Sequence, residues 1–217
     1  MSKMKNIKKP IFVIDFEGSK KIGIVEYGIV KVLGGEIVSC STRICAPKEA
    51  IPTVDAQLFG ITTQKAKAFA PFEADLDKFC KMRKDGVFAA HNATAEDTML
   101  RAICPSPTIV ENLLTGKKCA SWAPYIDTCA LSKRLFNLRS SKLADVVSAL
   151  NLEDELFDYA EKFCPENRRK WHCALFDAIA SALILIKICS FDGFEDVSIA
   201  WLLKFSKSDS TTQQDLL

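Results

Sequence analysis

Apolar residues fall into short β-rich runs in the first part of the chain and into helical periodicities later. Ile11–Asp15 is a short run rich in β-branched residues, which predicts a buried strand. Ile24–Val32 and Glu36–Ile44 follow, with Leu33-Gly34-Gly35 between them, and a Gly-Gly step between β-rich runs reads as a hairpin. These three segments predict a β-meander. Phe72–Arg83 has helical periodicity and stops before the turn signal Asp85-Gly86. Gly86–His91 predicts a strand, and Thr94 opens a helix that ends before Pro105. Residues 105–124, with Pro105, Pro107, Gly116 and Pro124, read as loop. Tyr125–Asp127 is a candidate fifth strand, and Asp127 is placed to cap a helix over Thr128–Phe136. Ser141–Leu150 and Trp171–Cys189 are further predicted helices. A meander followed by alternating strands and helices predicts an α/β or α+β sheet covered by helices. One domain is expected over residues 11–205, between a basic tail at 1–10 and a polar, disordered tail at 206–217.

Composition narrows the function classes. The 217 residues suit one domain with a core large enough to need no disulfide or metal staple. No apolar run approaches the ~20 residues that span a bilayer, so no membrane partner is expected. Lys+Arg 29 against Asp+Glu 27 leaves a net charge of +2, which excludes a histone-like binder and an acidic tail protein. Nine cysteines with no C-x-x-C spacing give poor support for zinc or a redox dithiol and suit reduced thiols in the cytoplasm. The apolar stretch after the basic N-terminus runs only from Ile11 to Ile14, too short for a signal-peptide core. His91 and His172 are the only histidines. Cys173 beside His172 is a poor nucleophile pair, because helix neighbours point ~100° apart.

Three acidic segments carry chemistry. Asp15 and Glu17 end the first strand, and i, i+2 residues share a face. Two carboxylates beside a core repel each other, and a divalent cation relieves that conflict; a polar strand end is the alternative. Ala89–Asp97 (AAHNATAED) offers His91, Asn92, Glu96 and Asp97 at a strand-to-helix junction. Thr94 and Asp97 fit a capping box, which leaves Glu96 as the preferred metal ligand. Trp171–Leu183 places His172 at a loop–helix junction, with Asp177 inside an apolar helix. A buried Asp177 needs a partner, and a metal shared with Asp15 would serve; an exposed Asp on a polar face is the other reading.

The ordered pattern D-x-E, then H-N-x-x-x-acid, then H-x-x-x-x-D resembles the histidine subtype of the DEDD superfamily of 3′–5′ exonucleases. That branch includes the proofreading epsilon subunit of bacterial replicative DNA polymerase and ribonuclease T. Phe59-Gly60-Ile61-Thr62, Ala70-Pro71-Phe72, Ile126-Asp127-Thr128 and Ser141-Lys142-Leu143 are similar to further segments of that family, so the resemblance covers roughly residues 11–190. It implies a ribonuclease H-like α/β fold, a mixed five-stranded sheet flanked by helices. It also implies that Asp15, Glu17, Glu96 and Asp177 hold two divalent cations, Mg²⁺ or Mn²⁺, with Asp15 bridging and Asp97 as the fallback for Glu96. His172 is then the general base for water. The implied activity is hydrolysis from a single-stranded DNA 3′ end, releasing nucleoside 5′-monophosphates in proofreading or repair. RNA 3′-end trimming is an alternative, and an inactive exonuclease-fold binding module is an alternative of another class.

Two departures from the family pattern are Glu96 where Asp is usual, with Ala95 in place of an aromatic, and D-F-E-G-S in place of D-x-E-T-T-G. Expected substrate contacts are Phe16, Gly18, Ser19, His91 and Asn92, with Arg168, Arg169 and Lys170 placed for phosphates. For Phe16 core packing is the competing role, and for His91 hydrogen bonding within the junction. Gln213–Leu217 resembles a sliding-clamp-binding pentapeptide, which makes a clamp or a DNA polymerase the candidate partner.

Overall fold

Strand alternation sorts the first run onto two faces. In the computed structural model, β1 (Ile11–Ser19) sends Ile11 and Val13 into one apolar cluster and Phe12, Ile14 and Phe16 into another. The structure describes Met4, residues 7–192, Phe194 and residues 197–206. β2 (Gly23–Leu33) and β3 (Glu36–Ile44) complete the antiparallel meander. β4 (Val87–Ala90) pairs parallel with β1. β5 (Ile109–Glu111) and β6 (Lys118–Ala120) form a separate small hairpin. β7 (Tyr125–Asp127) pairs parallel with β4. The mixed five-stranded sheet has the order β3-β2-β1-β4-β7, as expected for the ribonuclease H-like class.

The helices are α1 (Thr53–Phe59), α2 (Thr63–Ala66), α3 (Leu76–Asp85), α4 (Thr94–Ile103), α5 (Thr128–Leu135), α6 (Leu143–Ala149), α7 (Glu153–Phe163), α8 (Ala174–Ile188) and α9 (Ile199–Phe205). α8 is apolar almost all round and buries nearly its whole length against β1 and β2, as a central core helix does. The opposite sheet face is aromatic, with Phe16, Phe72, Phe79, Phe88 and Trp122 packed together.

Gly28 sets the distance between sheet and helix. It lies opposite Asp15 in the β1–β2 ladder, and a Cβ there would come within 2.2 Å of the Ala174 carbonyl oxygen. Only glycine lets the first residue of α8 rest on the strand. α8 therefore begins directly over the end of β1 that carries the acids.

Several expectations are corrected. Within the expected 1–10 tail, the described residues Met4 and Ile7 are buried in the main core. The loop at 105–124 contains β5 and β6, whose three-residue strands leave Ile109 67% exposed and so give no buried periodicity. α8 starts at Ala174 rather than Trp171, because His172 has a left-handed φ of 61°. α1, α2, α7 and α9 add to the expected helices. All nine cysteines are free, and five are buried. Among the described residues no helix is long and apolar enough to cross a membrane. The expected tail beyond Ser206, including Gln213–Leu217, lies outside the described residues.

Candidate active site

β1, β4 and β7 are mutually parallel in their shared ladders, so their C-terminal ends open on one edge of the sheet. β1 delivers Asp15 and Glu17 there, on the α8 side of the sheet. Glu17 is buried, and a register shift after it bends the strand away. The next residue, Gly18, has φ of 143°, and a Cβ on it would fall 2.2 Å from the Gly23 carbonyl oxygen. Glycine in place of the family's threonine is what this bend requires.

β4 leads into α4 through His91, Asn92 and Ala93. The junction is held from β7 by the Asp127 carboxylate, which accepts from the backbone N–H groups of Asn92 (3.1 Å) and Ala93 (3.0 Å). The same carboxylate caps α5 by accepting from Cys129 and Ala130. The expected Thr94–Asp97 capping box is absent. The residue before α4 is Ala93, whose side chain makes no cap, and Thr94 is already helical. Asp127 supplies the acceptor that Thr94 was expected to supply. Neighbours Glu96 and Asp97 then diverge by about 100°. Glu96 is 4% exposed and turns toward the β1 acids. Asp97 turns away to Arg101, whose Nε donates to it at 2.5 Å.

Asp177 lies in the first turn of α8 and is buried. The His172 backbone N–H donates to its Oδ2 at 3.1 Å, while its Oδ1 is buried without a partner. The left-handed φ of His172 is uncommon for a non-glycine residue. It leaves the imidazole exposed and facing Glu17 and Asp177, and one ligand atom from each of the three lies within 4.8 Å of the others.

Electrostatics ties the four acids together. Burial, then repulsion from Asp177, Glu96, Glu17 and Glu26, holds the Asp15 carboxyl well above the usual carboxylate range. Burial, reinforced by Asp177 and Glu26 and opposed by Arg168, pushes Glu17 up to about 8. Burial raises Glu96 to about 8 and Asp177 to about 7. Four desolvated carboxyls that resist ionisation together suit a divalent cation. Glu96 Oε2 and Asp177 Oδ1 are both buried without a hydrogen-bond partner, as ligand oxygens would be. An all-carboxylate set with one imidazole fits Mg²⁺ or Mn²⁺.

The expected substrate contacts separate into two groups. Gly18, Ser19 and Asn92 line an open cavity of about 370 Å³ with Lys20, Ala95 and Met99; none of the four acids lines it, and Gly18 and Ala95 are the chain neighbours of Glu17 and Glu96. Lys170 is exposed. Four others are corrected. Phe16 is buried against Phe72 and Phe79, with ring centroids 5.8 and 5.7 Å away, so it is a core residue. His91 spends both ring nitrogens on the junction, on Thr128 Oγ1 (2.9 Å) and the Ser141 carbonyl oxygen (2.8 Å). Arg168 is 7% exposed and pairs with Glu26. Arg169 donates to the Cys164 and Glu161 carbonyl oxygens at the end of α7. Glu26 was missing from the sequence-based set. Its signal was partly available: Glu26 and Lys31 are the two charges in the run Ile24–Val32, and Glu26 is the one that is buried.

This fold, with acids from three segments meeting at the sheet edge, is that of a nuclease-type hydrolase domain. The chain belongs to the RNase_T exonuclease family of the DEDD superfamily, whose family model matches residues 12–185. It is similar to the PolC-type DNA polymerase III of Thermotoga maritima, 33% identical over 147 residues. A putative bifunctional exonuclease/endonuclease protein of Mycobacterium tuberculosis is 31% identical over 127 residues. The alignments cover 64% and 54% of this chain but only 10% and 20% of those proteins. Among solved structures, Exonuclease X in complex with 5′ overhanging duplex DNA superposes with a TM-score of 0.63 at 19% identity, covering 91% of this chain and 99% of that one. Exonuclease I of E. coli with a dA16 oligonucleotide gives 0.61 at 12% identity, covering 87% and 42%.

Proposed function

We propose that the chain is a metal-dependent 3′–5′ exonuclease that removes nucleoside 5′-monophosphates from single-stranded DNA. The observation that carries this is Glu17, Asp177 and an exposed His172 within ligand reach of one another, with Asp15 and Glu96 near enough to repel these acids and one oxygen each of Glu96 and Asp177 left over. The four acids would hold two divalent cations, Mg²⁺ or Mn²⁺. When bound, such cations activate the attacking water and stabilise the leaving 3′ oxyanion. His172 takes the proton from that water; its exposed ring reaches solvent, to which the proton is then passed. The His172 backbone N–H holds Asp177 by one oxygen and leaves the other for the cation. Gly18, Ser19 and Asn92 seat the terminal nucleotide in the adjoining cavity, and Lys20 and Lys170 offer charge to the phosphates. The likeness to PolC-type polymerases supports DNA as substrate and work beside a polymerase. A cytoplasmic enzyme fits this reading.

The test is incubation of the purified protein with 5′-labelled single-stranded DNA and RNA of one sequence, with Mg²⁺, Mn²⁺ or EDTA. The expected result is a ladder shortening from the DNA 3′ end, abolished by EDTA and lowered at least ~10³-fold in Asp15→Ala. Faster shortening of the RNA would make this a 3′-trimming ribonuclease. No ladder with either metal would overturn the enzymatic reading.

A further inference from the structure

Glu26 lies outside the four-acid set, yet it faces that set. It is directly opposite Glu17 across the β1–β2 ladder and is 3% exposed. Its carboxylate accepts from Arg168 Nε at 3.1 Å, from Arg168 Nη2, and from the Ala174 backbone N–H at 3.0 Å. Arg168 Nη1 donates in turn to the Phe59 carbonyl oxygen at 2.5 Å. One buried carboxylate thus joins β2, the end of α1, the segment before α8 and the first residue of α8. His172 lies within the segment so tied, between Arg168 and Ala174, and Asp177 lies one helical turn beyond it.

The pairing also has a charge consequence. Unpaired, Glu26 would be a fifth anion against Glu17 and Asp177; unpaired, Arg168 would be a cation where a dication must bind. A bidentate guanidinium–carboxylate pair presents little net charge and fixes geometry.

We propose that Glu26 and Arg168 form a positioning pair for cation binding: together they set His172 and Asp177 against Glu17, and each cancels the charge the other would impose on the cation site. The proposal rests on the exonuclease reading above. Glu26 touches neither substrate nor reacting atoms, so its effect is felt through the groups it places.

Two variants of the full chain separate charge from placement. Glu26→Gln keeps the shape and an acceptor for Ala174 but leaves Arg168 uncompensated. Its Mn²⁺ dissociation constant, measured by calorimetry without nucleic acid, is expected to rise about tenfold. Arg168→Lys keeps the charge but loses the two-pronged contact and the reach to Phe59. It is expected to hold Mn²⁺ within about threefold of the parent while kcat falls about tenfold and KM for a DNA 3′ end stays within about twofold. Unchanged Mn²⁺ affinity in Glu26→Gln, or unchanged kcat in Arg168→Lys, overturns the proposal. So does an equal loss of kcat, KM and melting temperature in Arg168→Lys, which would show general loosening. If Glu26→Gln does not fold, Arg168→Lys decides alone. A parent protein that binds Mn²⁺ but cuts nothing overturns the exonuclease reading and this proposal with it, whereas a parent that cuts and variants that match it overturn the proposal alone.

Discussion

Glu96 and Asp97 are chain neighbours with opposite surroundings. Glu96 is buried and points at the other acids, while Asp97 is 23% exposed and paired through Oδ2 with Arg101, although each keeps one buried oxygen without a partner. Exposed i, i+4 pairs contribute only about 0.3–0.5 kcal/mol, so Asp97 adds little to stability through that contact. Glu96→Gln is therefore expected to lower single-turnover DNA cleavage by at least ~10²-fold, and Asp97→Asn to leave it within about threefold. Comparable losses in both would restore Asp97 as a ligand. Glu96 was the preferred ligand in the sequence because its neighbour had a plausible structural use. That use was misassigned: the capping box was a local pattern overridden by Asp127 from another strand. Arg168 was misread for a related reason. A run of three basic residues does not reveal which member finds a buried acid far away in the chain.

At the level of elements, two contacts hold the site in shape. The Asp127 carboxylate serves four backbone N–H groups at the starts of α4 and α5. One N-cap is worth roughly 1 kcal/mol, and this residue supports two helix starts, so Asp127→Ala is expected to cost about 2–3 kcal/mol by urea denaturation. Gly28 has no room for a methyl group, since the clash is with backbone rather than a flexible side chain. Gly28→Ala is expected to cost about 1–3 kcal/mol and to depress cleavage more than stability explains, because the start of α8 must move off the β1 acids. β1, β2, β4, β7, α4, α5 and α8 were visible in the hydrophobic pattern, because each buries apolar residues, whereas β3, with no buried residue, was visible through its β-rich composition and the Gly34-Gly35 hairpin signal. α1 was not, since only Phe59 of its seven residues is buried. The glycine in Glu26-Tyr27-Gly28 carried no sign of its role, because the helix it admits begins at Ala174, far along the chain.

For the molecule as a whole, the acid cluster makes stability depend on pH and on metal in a linked way. Burial and mutual repulsion raise Asp15 well above its ordinary range, Glu17 and Glu96 to about 8, and Asp177 to about 7. In the unfolded chain the same groups titrate in the ordinary carboxylate range, near 4–4.5. Between these limits the folded, metal-free protein binds more protons than the unfolded chain, so stability falls as pH rises. The contribution is complete below about pH 4 and is lost as pH climbs through about 7 to 8 and beyond. In EDTA the melting temperature is therefore expected to drop by roughly 5–10 °C from pH 5.5 to pH 8.5. A divalent cation that binds the folded state alone must displace those protons at low pH but meets ready carboxylates at high pH. Added Mn²⁺ should thus raise the melting temperature far more at pH 8.5 than at pH 5.5, and the difference should shrink in Asp177→Asn. A metal-free melting temperature that is flat or rising over this range would mean that the four acids do not share one desolvated site.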